Sequence, residues 1–211
     1  MPKLPPIPQR RYARTERTRA KLLSTATTYI AERGLAAATL EEVAGAAGIS
    51  RGVVQYHFGS KHELVLAVLH QVSARVRERV LTAVQEVAGP ADRIERLILG
   101  AVRVRIAPDA EARTLTRLQI LASEDESLRT AVLARRADDE SALIDVLSQA
   151  MTELRLKSSI DATEIMSTIL NYSDGLAIRH LSLPFSTHEH DKIMRIVQIF
   201  AAALFADGSP S

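Results

Sequence analysis

The sequence has 211 residues, of which 46% are hydrophobic and 25% charged, so the chain can bury a core for one or two domains and is not a disordered protein. It contains no cysteine, which excludes disulfides, thiolate nucleophiles and cysteine metal sites and agrees with a reducing, cytoplasmic location. The net charge is +2, but residues 1–61 hold ten basic and four acidic residues, while the remainder holds 17 basic and 21 acidic ones. This distribution favours contact of the first part with a polyanion, although a solvated charged segment would have the same composition.

The first residues predict a flexible arm. Residues 1–12 are rich in proline and arginine and lack the apolar stretch of a signal peptide. Arg10 and Arg11, with Arg14 just beyond, suit a DNA minor groove, or equally remain disordered in solution. We therefore divide the chain into this arm, a small helical domain at 13–60 and a larger domain at 61–211.

The rest of the chain has helical patterns and no alternating run of strand length. Capping-box spacings, in which an N-cap side chain and a Glu three residues later bind each other's backbone amides, mark helix starts. They occur at Thr39/Glu42, Ser60/Glu63, Ser123/Glu126 and Ser186/Glu189, with Asp variants at Asp92/Glu95 and Asp161/Glu164. We predict helices at about 14–33, 40–47, 51–57, 61–88, 92–106, 110–122, 127–155, 162–182 and 188–206. The fold class is therefore all-α, with about nine helices.

Residues 48–52, Gly-Ile-Ser-Arg-Gly, fit the G-x-S-x-G pattern of some nucleophilic serines. Such a serine lies on a turn between a strand and a helix. The residues before Ser50, however, predict a short helix at 40–47, and no parallel sheet is predicted. We therefore expect no catalytic role for Ser50 and no enzyme activity.

The same residues have the spacing of a helix-turn-helix. Gly48 can adopt the left-handed conformation in the turn, and Ser50 predicts an N-cap whose hydroxyl binds amides of the next helix. Arg51 and Gln55 share one face of that helix, whereas Val54 points toward the core. Such a helix can enter the major groove of DNA; a merely packed three-helix unit is the alternative.

The segment from Thr39 through this turn to Leu64 resembles the DNA-binding domain of the tetracycline-repressor (TetR) family of bacterial transcription regulators. The family pattern has a capping Thr, a G-V-S-x-x-x-[LIV]-Y-x-H-F recognition segment and a K-x-x-L sequence that opens the fourth helix. The resemblance covers about residues 15–66, and the remainder matches only in its layout of about six further helices. It implies an N-terminal three-helix DNA-binding domain and a C-terminal antiparallel helical domain for ligand binding and dimerisation.

The resemblance also implies roles for single side chains. The positions that touch phosphates in the family correspond to Thr39, His57 and Lys61. Base edges are read from the positions of Ser50, Arg51 and Val53, where Arg51 can pair with a guanine and Val53 can contact a thymine methyl. Gln55 departs from the usual Tyr, which puts one backbone contact in doubt and adds an amide suited to adenine. Tyr56 follows it and can replace the lost contact.

Apolar stripes on the last two predicted helices favour a dimer interface, with packing into the core alone as the alternative. One stripe comprises residues 193, 196, 197, 200, 203 and 204, and the other Met166, Ile169, Leu170, Ala177 and Leu181. Gly175, in a tripeptide similar to one often found in the family, would permit close helix contact. Because a helix-turn-helix usually reads two half-sites, we expect a homodimer on a palindromic operator in double-stranded DNA.

The family resemblance further implies an unknown small-molecule effector, bound among the helices of 61–155 and 162–182. The pocket candidates are polar or aromatic residues in apolar segments: Arg103, Arg105, Gln119, Asn171 and Tyr172. Surface exposure or internal ion pairing is the alternative for each. His188 and His190 fall at a predicted interhelix loop, where the helix predicted at 188–206 begins, and they lack helical i, i+4 spacing and a nearby cysteine. Together with His180 they therefore predict no metal site, and we predict no cofactor.

Together these features predict a homodimeric, ligand-responsive transcription regulator, a repressor that a small molecule releases from its operator. A helical protein-interaction or scaffold module without specific DNA binding is the alternative. We expect no membrane contact, because the most apolar segment, residues 196–206, falls short of the roughly 20 residues of a membrane span.

Overall fold

Helices make up almost all of the chain that the structure describes. The computed structural model describes residues 9–156 and 160–206, and within these ranges it contains nine α-helices and no strand. The helices are α1 Gln9–Arg33, α2 Leu40–Ala47, α3 Arg51–Phe58, α4 Lys61–Gln85, α5 Pro90–Arg105, α6 Ala110–Leu121, α7 Glu126–Glu153, α8 Ala162–Ser182 and α9 Thr187–Ala206. The predicted all-α class and the helix-turn-helix near the start of the chain are confirmed.

The first helix starts earlier than predicted. α1 begins at Gln9 rather than at 14, so residues 9–12 of the predicted arm are helical. Residues 1–8 of that arm lie outside the described residues.

The chain divides into two units, Met1–Gln71 and Val72–Ser211. In the first unit, α1 packs against α2, and α2 packs against α3. The buried apolar side chains of this unit include Leu22, Leu23, Ala26, Ile30, Val43, Ala47, Val54, Phe58, Leu64 and Val68. Each large one contributes about 1.5–3 kcal/mol when it is removed from water. Val54 and Phe58 are the two buried side chains of α3, and they fix which face of that short helix remains in solvent.

α5 is the central helix of the second unit and packs against α7, α8 and α9. Its core residues Ile94, Leu97 and Ile98 are at most 1% exposed. Gly100 allows α4 to come close, because a Cβ at this position would lie 3.3 Å from Cγ1 of Val80. The second unit therefore has its own apolar core, built on α5.

Side-chain caps hold several helix starts where the sequence predicts them. The Thr39 hydroxyl accepts a hydrogen bond from the backbone amide of Glu42 at 3.1 Å. Asp161 and Glu164 form a complete capping box at the start of α8. Ser186 and Glu189 also bind each other's backbone amides just before α9.

Two predicted caps are wrong. α5 begins at Pro90 with Gly89 as its N-cap, not at Asp92, because proline lacks the N–H that would be unpaired in the first turn. At α7, Asp125 takes the position predicted for Ser123 and accepts from the amide of Leu128 at 2.9 Å. The Ser123 hydroxyl instead donates to the carbonyl of Ile120 in the preceding turn.

In the described part of the chain, no helix combines the length and the apolar character that crossing a bilayer requires.

Candidate nucleic-acid interface

The turn between α2 and α3 has the predicted left-handed glycine. Gly48 adopts φ 63° and ψ 36°, and its N–H donates to the carbonyl of Gly45 at 3.1 Å. The next amide, that of Ile49, donates to the carbonyl of Ala44 at 3.0 Å. These bonds satisfy carbonyls at the end of α2 and turn the chain sharply into α3.

Ser50 occupies the N-cap position of α3, but its hydroxyl does not cap the helix. Its backbone is extended, with φ −67° and ψ 147°, and the side chain makes no capping hydrogen bond. The expectation that the hydroxyl satisfies amides of α3 is therefore wrong. The Ser50 carbonyl accepts from the amide of Val54 at 3.3 Å, and the exposed side chain faces solvent.

Side chains predicted to contact DNA are exposed on α3. Arg51, Val53 and Gln55, predicted to meet base edges, are exposed. Tyr56, predicted to replace a backbone contact, retains 80% of its accessible surface. The opposite face is buried through Val54 and Phe58.

Arg51 pairs with Glu41 of α2, since Nη1 of the guanidinium lies 2.7 Å from Oε1 of the carboxylate. Both side chains are more than half exposed, so the pair contributes only about 0–1 kcal/mol to stability. The guanidinium can therefore exchange this partner for a base edge or a phosphate at small cost. The sequence patterns did not indicate this pairing.

Gln55 folds back on its own helix. Its side-chain amide donates to the carbonyl of Gly59, and its backbone carbonyl accepts from the Gly59 amide at 2.8 Å. The amide predicted to meet a base is therefore engaged at the end of α3. It must leave Gly59 before it can read adenine.

The three predicted phosphate contacts lie near helix ends. Thr39 caps α2, and Lys61 at the start of α4 donates from Nζ to the carbonyl of Ala36 at 3.0 Å. This bond holds the Lys61 ammonium against the loop that leads to Thr39. His57 is half-buried, and its ring centroid lies 5.4 Å from that of Tyr56 and 6.1 Å from that of Phe58.

In the second unit, some of the predicted pocket residues belong to one polar network. Asp174 of α8 binds Arg105 of α5, with Oδ1 3.0 Å from Nη2, and also binds Arg136 of α7 through Oδ2. Nη2 of Arg105 donates to Oε1 of Gln119 at 2.5 Å, and Nη2 of Arg136 donates to Oδ1 of Asn171 at 2.8 Å. The internal ion pairing left open for Arg105 is therefore present, with partners that the sequence patterns missed.

Burial governs the electrostatics of this network. It lowers the pKa of the Arg105 guanidinium, while the neighbouring Asp174 carboxylate acts in the opposite direction. Arg103 and Tyr172, the other two pocket candidates, are exposed. The structure thus brings Gln119 and Asn171 to Arg105 and Arg136, and it leaves Arg103 and Tyr172 at the surface.

The histidines near α9 are placed differently than predicted. His188 and His190 lie in the first turns of α9, which begins at Thr187, rather than in a loop. His180 accepts a hydrogen bond at Nδ1 from the amide of Phe185 at 3.0 Å. Among the residues described, no cluster of three or more potential ligands that could hold a metal ion is found.

The apolar stripe predicted for α8 is mostly core. Met166 and Ile169 belong to the same apolar core as residues of α5, and Ala177 is also buried. Among the side chains that the structure describes, the large apolar ones that α8 and α9 expose are Tyr172, Ile178, Ile196, Ile199 and Phe200. The side chain of residue 204, the last of the predicted α9 stripe, lies outside the described residues. Gly175 is exposed, and a Cβ there would meet nothing within 4 Å, so the predicted close contact does not occur in the described part of a single chain.

Comparisons with known proteins agree with these features. Residues 22–68 match the family model described as "Bacterial regulatory proteins, tetR family". The chain is 28% identical over 168 residues to the HTH-type transcriptional regulator CymR of Pseudomonas putida, and this match covers 80% of this chain and 81% of CymR. It is 29% identical over 150 residues to the HTH-type transcriptional repressor KstR2 of Mycobacterium tuberculosis, covering 68% of this chain and 71% of KstR2.

Solved structures share the fold. The fatty acid degradation regulator FadR from Bacillus halodurans superposes with a TM-score of 0.73 at 14% identity, covering 87% of this chain and 97% of FadR. A transcriptional regulator from Rhodococcus sp. Rha1 superposes with a TM-score of 0.71 at 21% identity, covering 91% and 98% of the two chains. At these identities the likeness concerns the fold alone.

Proposed function

We propose that this chain, which belongs to the tetR family of bacterial regulatory proteins and is a DNA-binding transcriptional regulator, is a homodimeric repressor. A small molecule releases it from a palindromic operator. The observation that carries the proposal is the exposed face of α3 with Arg51, Val53 and Tyr56. This helix follows a tight turn in which Gly48 has the left-handed backbone conformation. The protein acts on the chromosome, in the cytoplasm, and catalyses no reaction.

Base contacts come from α3, and phosphate contacts come from α3 and from residues at the starts of α2 and α4. Arg51 and Val53 read base edges in the major groove, with Ser50 beside them at the start of the helix. Tyr56 and His57 contact the backbone, together with Thr39 and Lys61. Arg51 leaves Glu41 on binding, and Gln55 leaves Gly59 if it reads a base. Both partners are exposed to solvent, so these exchanges require little free energy.

A second copy of the chain covers the exposed apolar residues of α8 and α9. Ile196, Ile199 and Phe200 lie on α9, and Tyr172 and Ile178 on α8. A dimer also places two recognition helices about one turn of DNA apart, as a palindromic operator requires. Phe200→Glu should give monomers in analytical ultracentrifugation and lose specific DNA binding. Leu133→Glu, at an exposed leucine of α7, is the control that should remain dimeric.

The effector acts through its different affinity for the DNA-binding and the released conformations, a coupling of typically about 1–3 kcal/mol. The chain passes from the first unit to the second inside α4, whose residues 61–85 span the boundary at 71/72. A change of conformation in the second unit can therefore be transmitted to the first through a continuous helix.

The proposal is tested by fluorescence anisotropy of the full chain on the intergenic DNA beside its own gene and on scrambled DNA, at two salt concentrations. Saturable binding that is tighter on the intergenic DNA and weaker at high salt supports a specific regulator. The same complexes then screen small molecules by release. Equal affinity for the intergenic and the scrambled DNA, together with no preferred site in a selection from genomic DNA fragments, would contradict operator recognition. Absence of binding to any DNA would favour a helical scaffold instead.

A further inference from the structure

Positive charge exceeds negative charge in the polar network of the second unit. Arg105 and Arg136 share one carboxylate, Asp174, and their other partners, Gln119 and Asn171, are neutral amides. A buried charge is costly unless it is paired and hydrogen-bonded. The network as it stands therefore retains one uncompensated positive charge among these groups.

Arg105 also retains hydrogen-bonding capacity. Its Nε donates to Oδ1 of Asp174 at 3.2 Å, and its Nη2 donates to Gln119. Its Nη1 is buried and has no hydrogen-bond partner among the described residues. Guanidinium groups carry five N–H donors and remain charged in proteins, so Nη1 offers a charged, dry donor.

The network reaches from the core to the surface. The side chain of Arg105 is 5% exposed, that of Asp174 22% and that of Arg136 30%, and Asn171 is exposed. The residues one turn before Arg105 on the same face of α5, Ala101 and Val102, are buried and apolar. The inner end of the network, where Nη1 of Arg105 lies, therefore borders apolar core residues.

We propose that Nη1 of Arg105 is the anchor for the carboxylate of an organic acid with an apolar body, and that this acid is the effector class of the regulator. The inference rests on the proposed function, because only a regulator has an effector. The carboxylate compensates the excess charge and accepts hydrogen bonds from the unused N–H groups of Nη1, which a charged donor and a charged acceptor make stronger than a neutral pair. A neutral amide of the same shape can accept a hydrogen bond through its carbonyl oxygen, but it does not compensate the positive charge.

The test compares acids with their amides on the full-length protein. Isothermal titration calorimetry and thermal shift at fixed ionic strength measure binding of sodium benzoate and sodium hexanoate, with benzamide and hexanamide as neutral controls. We expect the carboxylates to bind and the amides to bind at least about tenfold more weakly, since a hydrogen bond between charged groups is lost. Equal binding of acid and amide, or no binding of either acid, overturns the proposal.

Two variants test whether the carboxylate binds at Arg105. Arg105→Gln should weaken carboxylate binding at least about tenfold, whereas Arg103→Gln, at an exposed arginine two positions earlier on α5, should not. Unchanged carboxylate affinity in folded Arg105→Gln overturns the assignment. Should that variant fail to fold, a crystal structure of the unaltered protein with 4-iodobenzoate decides: a carboxylate on Nη1 supports the proposal, and one elsewhere, or only a water on Nη1, overturns it.

The outcome is separable from that of the proposed function. Operator preference is measured by anisotropy without any acid. If that preference is present while no carboxylate binds, only the effector class is wrong. If the preference is absent, the regulator itself is in question, whatever the acids do.

Discussion

Glu41 on α2 and Arg51 on α3 form an ion pair across the helix-turn-helix, with Oε1 and Nη1 2.7 Å apart. The guanidinium that we propose reads a guanine is therefore already paired with a carboxylate in the absence of DNA. Since both groups are exposed, the pair contributes little to stability, and it would compete with a DNA contact of Arg51.

Replacing Glu41 by Gln should strengthen DNA binding. The change removes the competing partner of Arg51 and one negative charge near a polyanion, and we expect a gain of about 0.2–1 kcal/mol, or up to about fivefold in Kd. Anisotropy on operator DNA measures it. Glu32→Gln removes an exposed charge of α1 as the matched control, and an equal gain in both variants would mean that the pairing with Arg51 is irrelevant.

Replacing Arg51 by Ala should weaken operator binding by about 1–3 kcal/mol and relax the preference at one base pair. The physical reason is the loss of a bidentate contact with a guanine, which an alanine methyl cannot replace. Binding is measured on the operator and on its single-base variants. An equal loss on every sequence would show that Arg51 contacts the backbone and not a base.

Replacing Lys61 by Ala should weaken binding to all sequences alike and reduce the slope of log K against log salt by about one unit. Lys61 would otherwise neutralise one phosphate from its position against the carbonyl of Ala36. Salt titrations of the variant and of Lys21→Ala, an exposed lysine of α1, give the comparison. An unchanged slope would remove Lys61 from the phosphate contacts.

Replacing two glycines of the first unit by alanine, one at a time, should change the free energy of unfolding in opposite directions. Gly48→Ala places a side chain at φ 63° and should lower the free energy of unfolding by about 1–2 kcal/mol, although a Cβ there meets no atom within 4 Å. Gly45→Ala, inside α2 and also in open space, should raise it by roughly 0.5–1 kcal/mol. Urea unfolding of both variants checks the pair; destabilisation by Gly45→Ala would point to a contact that a second molecule makes.

The stability of the second unit should fall in mild acid because of His180. Burial, followed by the positive charges of His190, Arg113 and Arg179, lowers the pKa of His180 in the folded state below its ordinary value of 6.5. As the pH falls, the unfolded chain therefore binds a proton at this ring before the folded protein does, which favours unfolding. The contribution of the neutral ring to the free energy of unfolding is complete above pH 6.5 and is lost as the pH falls through the folded pKa.

Urea unfolding at several pH values between 7.5 and 5 measures this effect. His180→Asn can keep an acceptor for the Phe185 amide but cannot titrate, so its unfolding midpoint should depend less on pH. His70→Asn, at an exposed histidine of α4, should behave like the unaltered protein. A pH dependence that is identical in all three proteins excludes His180 as its source.

Much of the fold follows from local patterns in the sequence. The apolar periodicity of α2 and α3, with Gly48 between them, is sufficient to predict the turn and the buried position of Val54. Local patterns fail where two signals compete within a few residues. At α5 the Asp92/Glu95 spacing imitates a capping box, but Pro90 already provides a favourable first residue for the helix.

The polar network could not be predicted, because its partners are distant in the sequence. Arg105 and Asp174 are 69 positions apart, and Arg136 and Asp174 are 38 apart. Periodicity places each of them on a helix but does not say which faces meet. Arg51 and Glu41 are close in the sequence, yet their pairing depends on the angle that the turn imposes on α2 and α3.

The packing of α9 against α5 also has a consequence for synthesis. α1, α2 and α3 find their partners among near neighbours, so the first unit can close its core while the ribosome is still making α5. The second unit must wait, because Val197 and Ala201 of α9 complete the core around Ile94 and Leu97, and Gln198 binds Glu95 across 103 positions. We therefore expect a nascent chain whose DNA-binding part is folded while α5 still exposes its apolar face, and the translation of α9 ends that vulnerable interval.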